Sequence, residues 1–100
     1  MKLIKREWYE IASVVCADPT AYGNWQRCIE KMAEIDKGVV EDANWRIYRV
    51  TYEKEYEEGG CWNDIIHHET TNRELFMSWD EVKPLLSYAV WKNDVDEVEQ

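Results

Sequence analysis

The spacing of apolar residues changes near residue 44. Before that point apolar side chains recur every three or four residues, which is the period of an α-helix. We therefore predict a first helix over residues 3–17, which Asp18-Pro19 ends. Its apolar stripe consists of Ile4, Trp8, Ile11, Ala12 and Val15.

A second helix is predicted over about residues 25–37. Asn24 is a favourable N-cap, and Lys37-Gly38 is a typical C-terminal stop. Because the connection to the first helix is short, the pair would form an αα-hairpin. The apolar stripe of this helix consists of Trp25, Cys28, Ile29, Met32 and Ala33.

From residue 44 the period is two, and β-branched and aromatic residues dominate. We predict a strand over 44–52 that continues to residue 58. One of its faces carries Tyr48, Val50, Tyr52 and Tyr56. The other face carries Arg49, Thr51, Glu53, Glu55 and Glu57.

Gly59-Gly60 has the composition of a two-residue hairpin turn, with residues 61–69 as the returning strand. This register places Glu58 opposite Cys61, Tyr56 opposite Asn63 and Tyr52 opposite His67. It also places Glu55 opposite Asp64, an unfavourable pair of like charges. A longer loop without this register is the alternative.

Residues 70–72 are predicted to form a second turn, and residues 73–77 a short third strand. Ser78 and Glu81 then have the spacing of a capping box, which marks the start of a last helix. Pro84 favours a 3₁₀ start or a kink in that helix. We expect the helix to end near Asn93 and residues 94–100 to form a frayed acidic tail.

The predicted order of elements is therefore α-α-β-β-β-α. We expect one globular domain over residues 1–93, of the α+β class, with helices packed on one face of a three-stranded antiparallel sheet. One hundred residues supply one core and leave no room for a second.

Net charge is distributed unevenly along the chain. Residues 1–40 hold six basic and six acidic side chains, whereas residues 41–100 hold six basic and fifteen acidic ones, which accounts for the net charge of −9. An acidic chain repels nucleic acid and anionic membranes and attracts basic surfaces. We therefore expect a basic protein surface as the partner, with no direct nucleic acid binding and no membrane.

The apolar stretch at residues 14–17 is too short for a signal peptide or a membrane span, so we expect a cytoplasmic protein. Cys16, Cys28 and Cys61 are expected to be reduced thiols.

Catalytic motifs are lacking in the sequence. His67-His68-Glu69 resembles part of an active site most closely, but neighbouring strand residues point to opposite faces, and no zinc-binding spacing is present. We therefore expect no catalytic residues, no metal and no cofactor. A small metal- or thiol-dependent enzyme that uses Cys61, His67 or His68 is the alternative.

A mixed basic and aromatic set could instead bind single-stranded nucleic acid. Its members are Lys2, Lys5, Arg6, Trp8, Trp45, Arg46 and Arg49. The order of the later elements is similar to that of double-stranded-RNA-binding domains, which carry a lysine-rich site at the start of the last helix. Here Asp80 and Glu81 occupy that stretch, which argues against this function.

Acidic residues around the predicted hairpin are the remaining candidate. Glu53, Glu55 and Glu57 would project from one strand face at intervals of about 6.8 Å, the scale of successive backbone phosphates. A solvated edge that resists aggregation is the simpler explanation of such charges. The candidate partner-binding residues are Glu53, Glu55, Glu57, Glu58, Trp62 and Asp64, with Trp62 as a possible aromatic anchor.

In size, acidity and aromatic content the chain is similar to small phage-encoded inhibitors of bacterial defence, the anti-CRISPR proteins among them. It also resembles immunity proteins that neutralise nuclease toxins. The likeness implies an inhibitor, a monomer or weak dimer, that occupies a basic nucleic-acid-binding surface of a bacterial defence complex. A subunit that self-associates through exposed aromatic residues is a further alternative.

Overall fold

A computed structural model describes residues 1–14, 17–35, 44–61 and 63–98. Within these ranges the sheet is antiparallel and four-stranded, in the order β2-β1-β3-β4, and two helices accompany it. The α+β class is as predicted, whereas the three-stranded sheet and the order of elements are not. The elements are β1 (Lys2–Ala12), β2 (Ala17–Tyr22), α1 (Trp25–Ile35), β3 (Arg46–Glu57), β4 (Ile65–Met77) and α2 (Trp79–Val98).

The predicted helix over residues 3–17 is wrong, because this segment contributes β1 and the start of β2. β1 pairs with β3 at every position from Lys2 opposite Tyr56 to Ala12 opposite Arg46. The apolar residues of β1 fit both periods, since Tyr9 and Ile11 are two residues apart, with Glu10 between them. Backbone pairing along an eleven-residue strand outweighs the weak helical spacing.

The predicted hairpin register is also wrong. Glu55 lies opposite His68 instead of Asp64, and the connection between the strands spans residues 58–64, as in the longer-loop alternative. β4 continues without a break through residues 70–72, where we predicted a turn. Threonine is a good strand former, and this register replaces a like-charge pair with an acid and a histidine.

Both helices begin where the sequence predicts. At α1 the backbone N–H of Arg27 donates to Asn24 Oδ1 over 2.9 Å. At α2 the Glu81 carboxylate accepts hydrogen bonds from Ser78 N and Ser78 Oγ, at 3.3 and 3.2 Å, so the Glu81 half of the predicted capping box is formed. α2 remains α-helical through Pro84 and extends to Val98, beyond the predicted end near Asn93. The predicted stop at Lys37-Gly38 lies outside the described residues.

The hydrophobic core lies between the two helices and one end of the sheet. α1 supplies Cys28, Ile29, Met32 and Ala33, and α2 supplies Val82 and Leu86. Tyr9 packs edge-on against Phe76 at the border of this cluster, with 5.1 Å between ring centroids. The sheet contributes Ile11, Trp45 and Ile47.

The sheet extends well past this core. We call residues 2–7, 51–57 and 65–72 its outer end, and none of them is fully buried. The molecule measures 58 by 29 by 18 Å, which reflects this projection. The outer end therefore exposes both faces of three paired strands.

Two adjacent leucines of α2 test the position of the core. Leu86 is fully buried and Leu85 is 37% exposed. Leu86→Ala should lower the free energy of unfolding by about 2–5 kcal/mol, because it leaves a cavity. Leu85→Ala, the matched control, should cost clearly less. Urea denaturation measures both, and equal losses would contradict the described packing.

Candidate functional site

Residues directly opposite each other in an antiparallel sheet point to the same face. Ile11 and Ile47 form such a pair and face the helices. Every second residue along each strand from this pair points to the same side of the sheet as the helices. In the outer end we call this side the helix-side face. It includes Lys5 and Glu7 on β1, and Thr51, Glu53, Glu55 and Glu57 on β3.

Glu7, Glu53, Glu55 and Glu57 form what we call the acidic face. The three carboxylates of β3 stand at intervals of about 6.8 Å. The side chains of Glu53 and Glu57 are 44% and 49% exposed. β3 is an inner strand, paired with β1 on one side and β4 on the other, so these carboxylates project from a backbone that is held along both edges.

Two basic side chains lie beside carboxylates of the acidic face. Lys5 Nζ lies 4.0 Å from Glu53 Oε1, and His67 Nε2 lies 3.6 Å from Glu57 Oε2. All four side chains are at least 40% exposed. Exposed ion pairs of this kind are worth about 0–1 kcal/mol, so a partner's cation could replace Lys5 or His67 at little cost.

A shallow groove of about 290 Å³ crosses the acidic face between β1 and β4. Side chains from this face that line it combine charges with neutral hydrogen-bonding groups. A ligand in the groove would meet carboxylates, hydroxyls and an amide together. These lining side chains are Lys5, Glu7, Thr51, Glu53, Thr70 and Asn72.

The other predicted site residues lie elsewhere. Glu58 follows the end of β3 and forms an ion pair with Lys2, and this hydrogen bond raises the pKa of the Lys2 ammonium. Asp64 is exposed in the loop before β4 and is not part of the strand row. Trp62 lies outside the described residues. Of the six predicted residues, the structure therefore brings Glu53, Glu55 and Glu57 onto one face.

Glu7 belongs to the acidic face but was not predicted to do so. Its position follows only from the β-structure of residues 2–12, because it lies opposite Thr51 and two residues from Tyr9. Tyr9 Oη donates to Glu7 Oε1 over 3.4 Å, which places both side chains on the same face. The predicted helix would have directed Glu7 toward solvent, away from β3.

The opposite face of the sheet is aromatic and basic. Val50 is fully buried there, among neighbours that include Trp8, directly opposite on β1. Trp8 Nε1 donates to Glu10 Oε1 over 3.0 Å. The tyrosines of this face are Tyr48, Tyr52 and Tyr56, and its cations are Lys2, Arg6, Arg46, Lys54 and Arg73.

The predicted basic and aromatic set is therefore divided. Lys5 and Arg49 lie on the helix side, and Trp45 is buried in the core. On the opposite face two cations cover tyrosine rings: the Arg46 guanidinium lies 5.8 Å from the Tyr48 centroid, and Lys54 Nζ lies 4.9 Å from that of Tyr56. These rings are engaged within the chain, which disfavours stacking of nucleic acid bases on them.

The two histidines do not point to opposite faces as predicted. A bulge between Ile66 and His68 changes the alternation, so His67 reaches Glu57 while His68 lies opposite Glu55. His68 Nε2 is 2.9 Å from Thr70 Oγ1. Among the residues that the structure describes, no three His, Cys, Asp or Glu side chains are grouped so that they could hold a metal ion.

No protein-family model, curated protein or solved structure matches this chain. Within the described part of the chain, no helix combines the length and apolar character needed to cross a membrane. The feature that the chain itself presents is a set of carboxylates on a part of the sheet that extends past the core, and such a surface attracts basic groups.

The pKa of Tyr9 offers a test of this geometry. Burial raises that pKa above its ordinary value of 10.0, and the negative charge of Glu7 raises it further. Glu7→Gln should therefore lower the Tyr9 pKa, as measured by NMR titration of ¹³C-labelled tyrosine rings. Glu55→Gln removes an equal charge farther along the same face and should leave the Tyr9 pKa unchanged. Equal shifts in both variants would contradict the described register.

Proposed function

We propose that this chain is a protein-binding inhibitor that occupies a basic, nucleic-acid-binding surface of its partner. The observation that supports the proposal is the placement of Glu53, Glu55 and Glu57 on one strand face, with Glu7 on the adjacent strand. The outer end on which they stand extends past the helices, so a partner surface can approach it without displacing them.

Electrostatics gives this arrangement its specificity. Regularly spaced carboxylates present negative charge at intervals similar to those of a nucleic acid backbone. The net charge of −9 adds a long-range field that steers a basic partner toward the chain. A groove that evolved to bind phosphates meets matching charge on the acidic face, and nucleic acid is then excluded from it.

Rigidity of the sheet makes the acidic face suitable for tight binding. β3 is fixed by pairing on both sides, so its carboxylates lose little backbone entropy when they bind. The hydroxyls of Thr51 and Thr70 and the amide of Asn72 line the groove beside them and can donate hydrogen bonds as well as accept them. Charge would then guide the encounter, and these neutral groups would fix its orientation.

The chain's similarity to small phage-encoded inhibitors leads us to place a bacterial defence complex, such as a CRISPR effector, first among the partners. A nuclease toxin is the second class, because it too presents a basic groove that holds nucleic acid. Both would be neutralised by the same acidic face. Co-purification from the host lysate and identification of the bound protein would distinguish the two classes.

Removal of charge from the acidic face should weaken partner binding. For the partner identified in this way, Glu55→Gln combined with Glu57→Gln should slow association about tenfold at low salt, with a smaller effect at high salt. Glu30→Gln combined with Glu34→Gln removes two exposed charges from α1 and serves as the matched control. Stopped-flow association rates over a range of salt concentrations measure both.

A competition assay tests the inhibitory step. The partner's own nucleic acid should displace the chain from the complex. When the chain is in excess and no free partner remains, binding of that nucleic acid should fall to the level measured without any partner. Formation of a ternary complex with undiminished affinity for nucleic acid would contradict the proposal, as would equal association rates for the two double variants.

A further inference from the structure

We infer that β4 is a self-pairing edge, through which two copies of the chain join their sheets into one. β4 is the last strand of the sheet, and among the described residues its one neighbouring strand is β3. It is thirteen residues long, so a second strand could pair with its other side. This inference is independent of the proposed function.

The partner that this edge fits is a second copy of itself. When two copies of β4 pair antiparallel about a two-fold axis at Thr71, residues equidistant from Thr71 lie opposite each other. Glu69 then faces Arg73 of the second copy, and His68 faces Glu74. Thr70 faces Asn72, two side chains that can form a hydrogen bond. The symmetry repeats each pair, so four cross-strand pairs join an acid to a basic group.

Neighbouring registers lose this complementarity. An axis at Thr70 sets His67 opposite Arg73 and Ile66 opposite Glu74. An axis at Asn72 sets Glu69 opposite Leu75 and Thr71 opposite Arg73. In all these registers the two-fold axis passes beside one residue and stands perpendicular to the sheet. Such an axis pairs residues that point to the same face of the sheet. Charge therefore selects the axis at Thr71.

Charged residues on an edge strand usually prevent association, because they meet like charges or lose water. In β4 the charges are distributed differently: Glu69 precedes Thr71 and Arg73 follows it at the same distance. The bulge beside His68 limits the regular segment at one end, and the bulge near Leu75 limits it at the other. Pairing would thus extend over residues 68–74.

Arg73 and Glu74 also have contacts within their own chain. Arg73 forms an ion pair with Glu10, and Glu74 Oε1 lies 3.2 Å from Arg49 Nε. The Arg73 side chain is 57% exposed and that of Glu74 is 66% exposed, so both remain accessible. Arginine has five N–H donors, and Arg73 can therefore bind Glu10 and Glu69 of the second copy together.

The joined sheet would have eight strands, in the order β2-β1-β3-β4-β4-β3-β1-β2. The axis perpendicular to the sheet would place both acidic faces on the same side. The net charge of −9 on each copy opposes this association at long range, and salt screens it. Self-association should therefore strengthen from low to moderate salt, which is the opposite of the dependence proposed for partner binding.

Two charge reversals test the pairing. Glu69→Arg alone sets Arg opposite Arg73 twice, and Arg73→Glu alone sets Glu opposite Glu69 twice. Each should raise the dissociation constant of the dimer about tenfold or more, as measured by sedimentation equilibrium. In a 1:1 mixture both cross-strand pairs again join opposite charges, so a heterodimer should form at concentrations where neither variant dimerises.

Mixing the two variants also controls for contacts within each chain. Lys54, opposite Glu69, and Glu10, beside Arg73, meet the same altered residue whether a variant is alone or in the mixture. The inference fails if the parent chain stays monomeric up to millimolar concentration in moderate salt. It also fails if the mixture associates no better than its components, or if the reversals leave the parent's self-association unchanged.

Cysteine cross-linking tests the register independently. In a Cys61→Ser background, Thr71→Cys should form a disulfide-linked dimer on mild oxidation, because residue 71 faces its own copy across the axis. Thr70→Cys should form one only when mixed with Asn72→Cys. Equal cross-linking of Thr70→Cys and Thr71→Cys by themselves would overturn the register.

Discussion

The pairing of β1 with β3 is the constraint on which the rest of the structure depends. It joins residues near the start of the chain to a strand 34 to 54 residues later, from Ala12 opposite Arg46 to Lys2 opposite Tyr56. This ladder makes β3 an inner strand and fixes which side chains face the helices. Without it Glu7 would not stand beside Glu53, and the outer end would have one strand fewer.

Signals carried within a few residues were sufficient for prediction. The Asn24 cap, the contact of Glu81 with Ser78 and the alternation along β3 each depend on neighbours in sequence, and the structure contains all three. Three residues of the candidate site, all from β3, could therefore be placed on one face from the sequence alone. Their role in binding stays a prediction.

The errors arose where distant segments decide the outcome. Residues 2–12 have apolar positions that fit a helix and a strand, and only β3 as a partner distinguishes the two. The register of β4 was misplaced because Gly59-Gly60 resembles a tight turn, whereas Gly60 lies in a longer loop with φ of 66°. A bulge beside His68 then changed the side-chain alternation, which no local pattern indicates.

Because side chains alternate between the two faces of the sheet, these faces differ in chemistry. Carboxylates collect on the helix-side face of β3, while cations and tyrosines collect on the other face and satisfy one another there. Pairing through the edge of β4 uses backbone groups in the plane of the sheet, so it would leave both faces open, with Thr70 and Asn72 at the border between the groove and the edge. Two copies would then present two acidic faces on one side of a continuous sheet. A partner with two basic grooves, or one long groove, would meet the second face at high effective concentration once the first is bound.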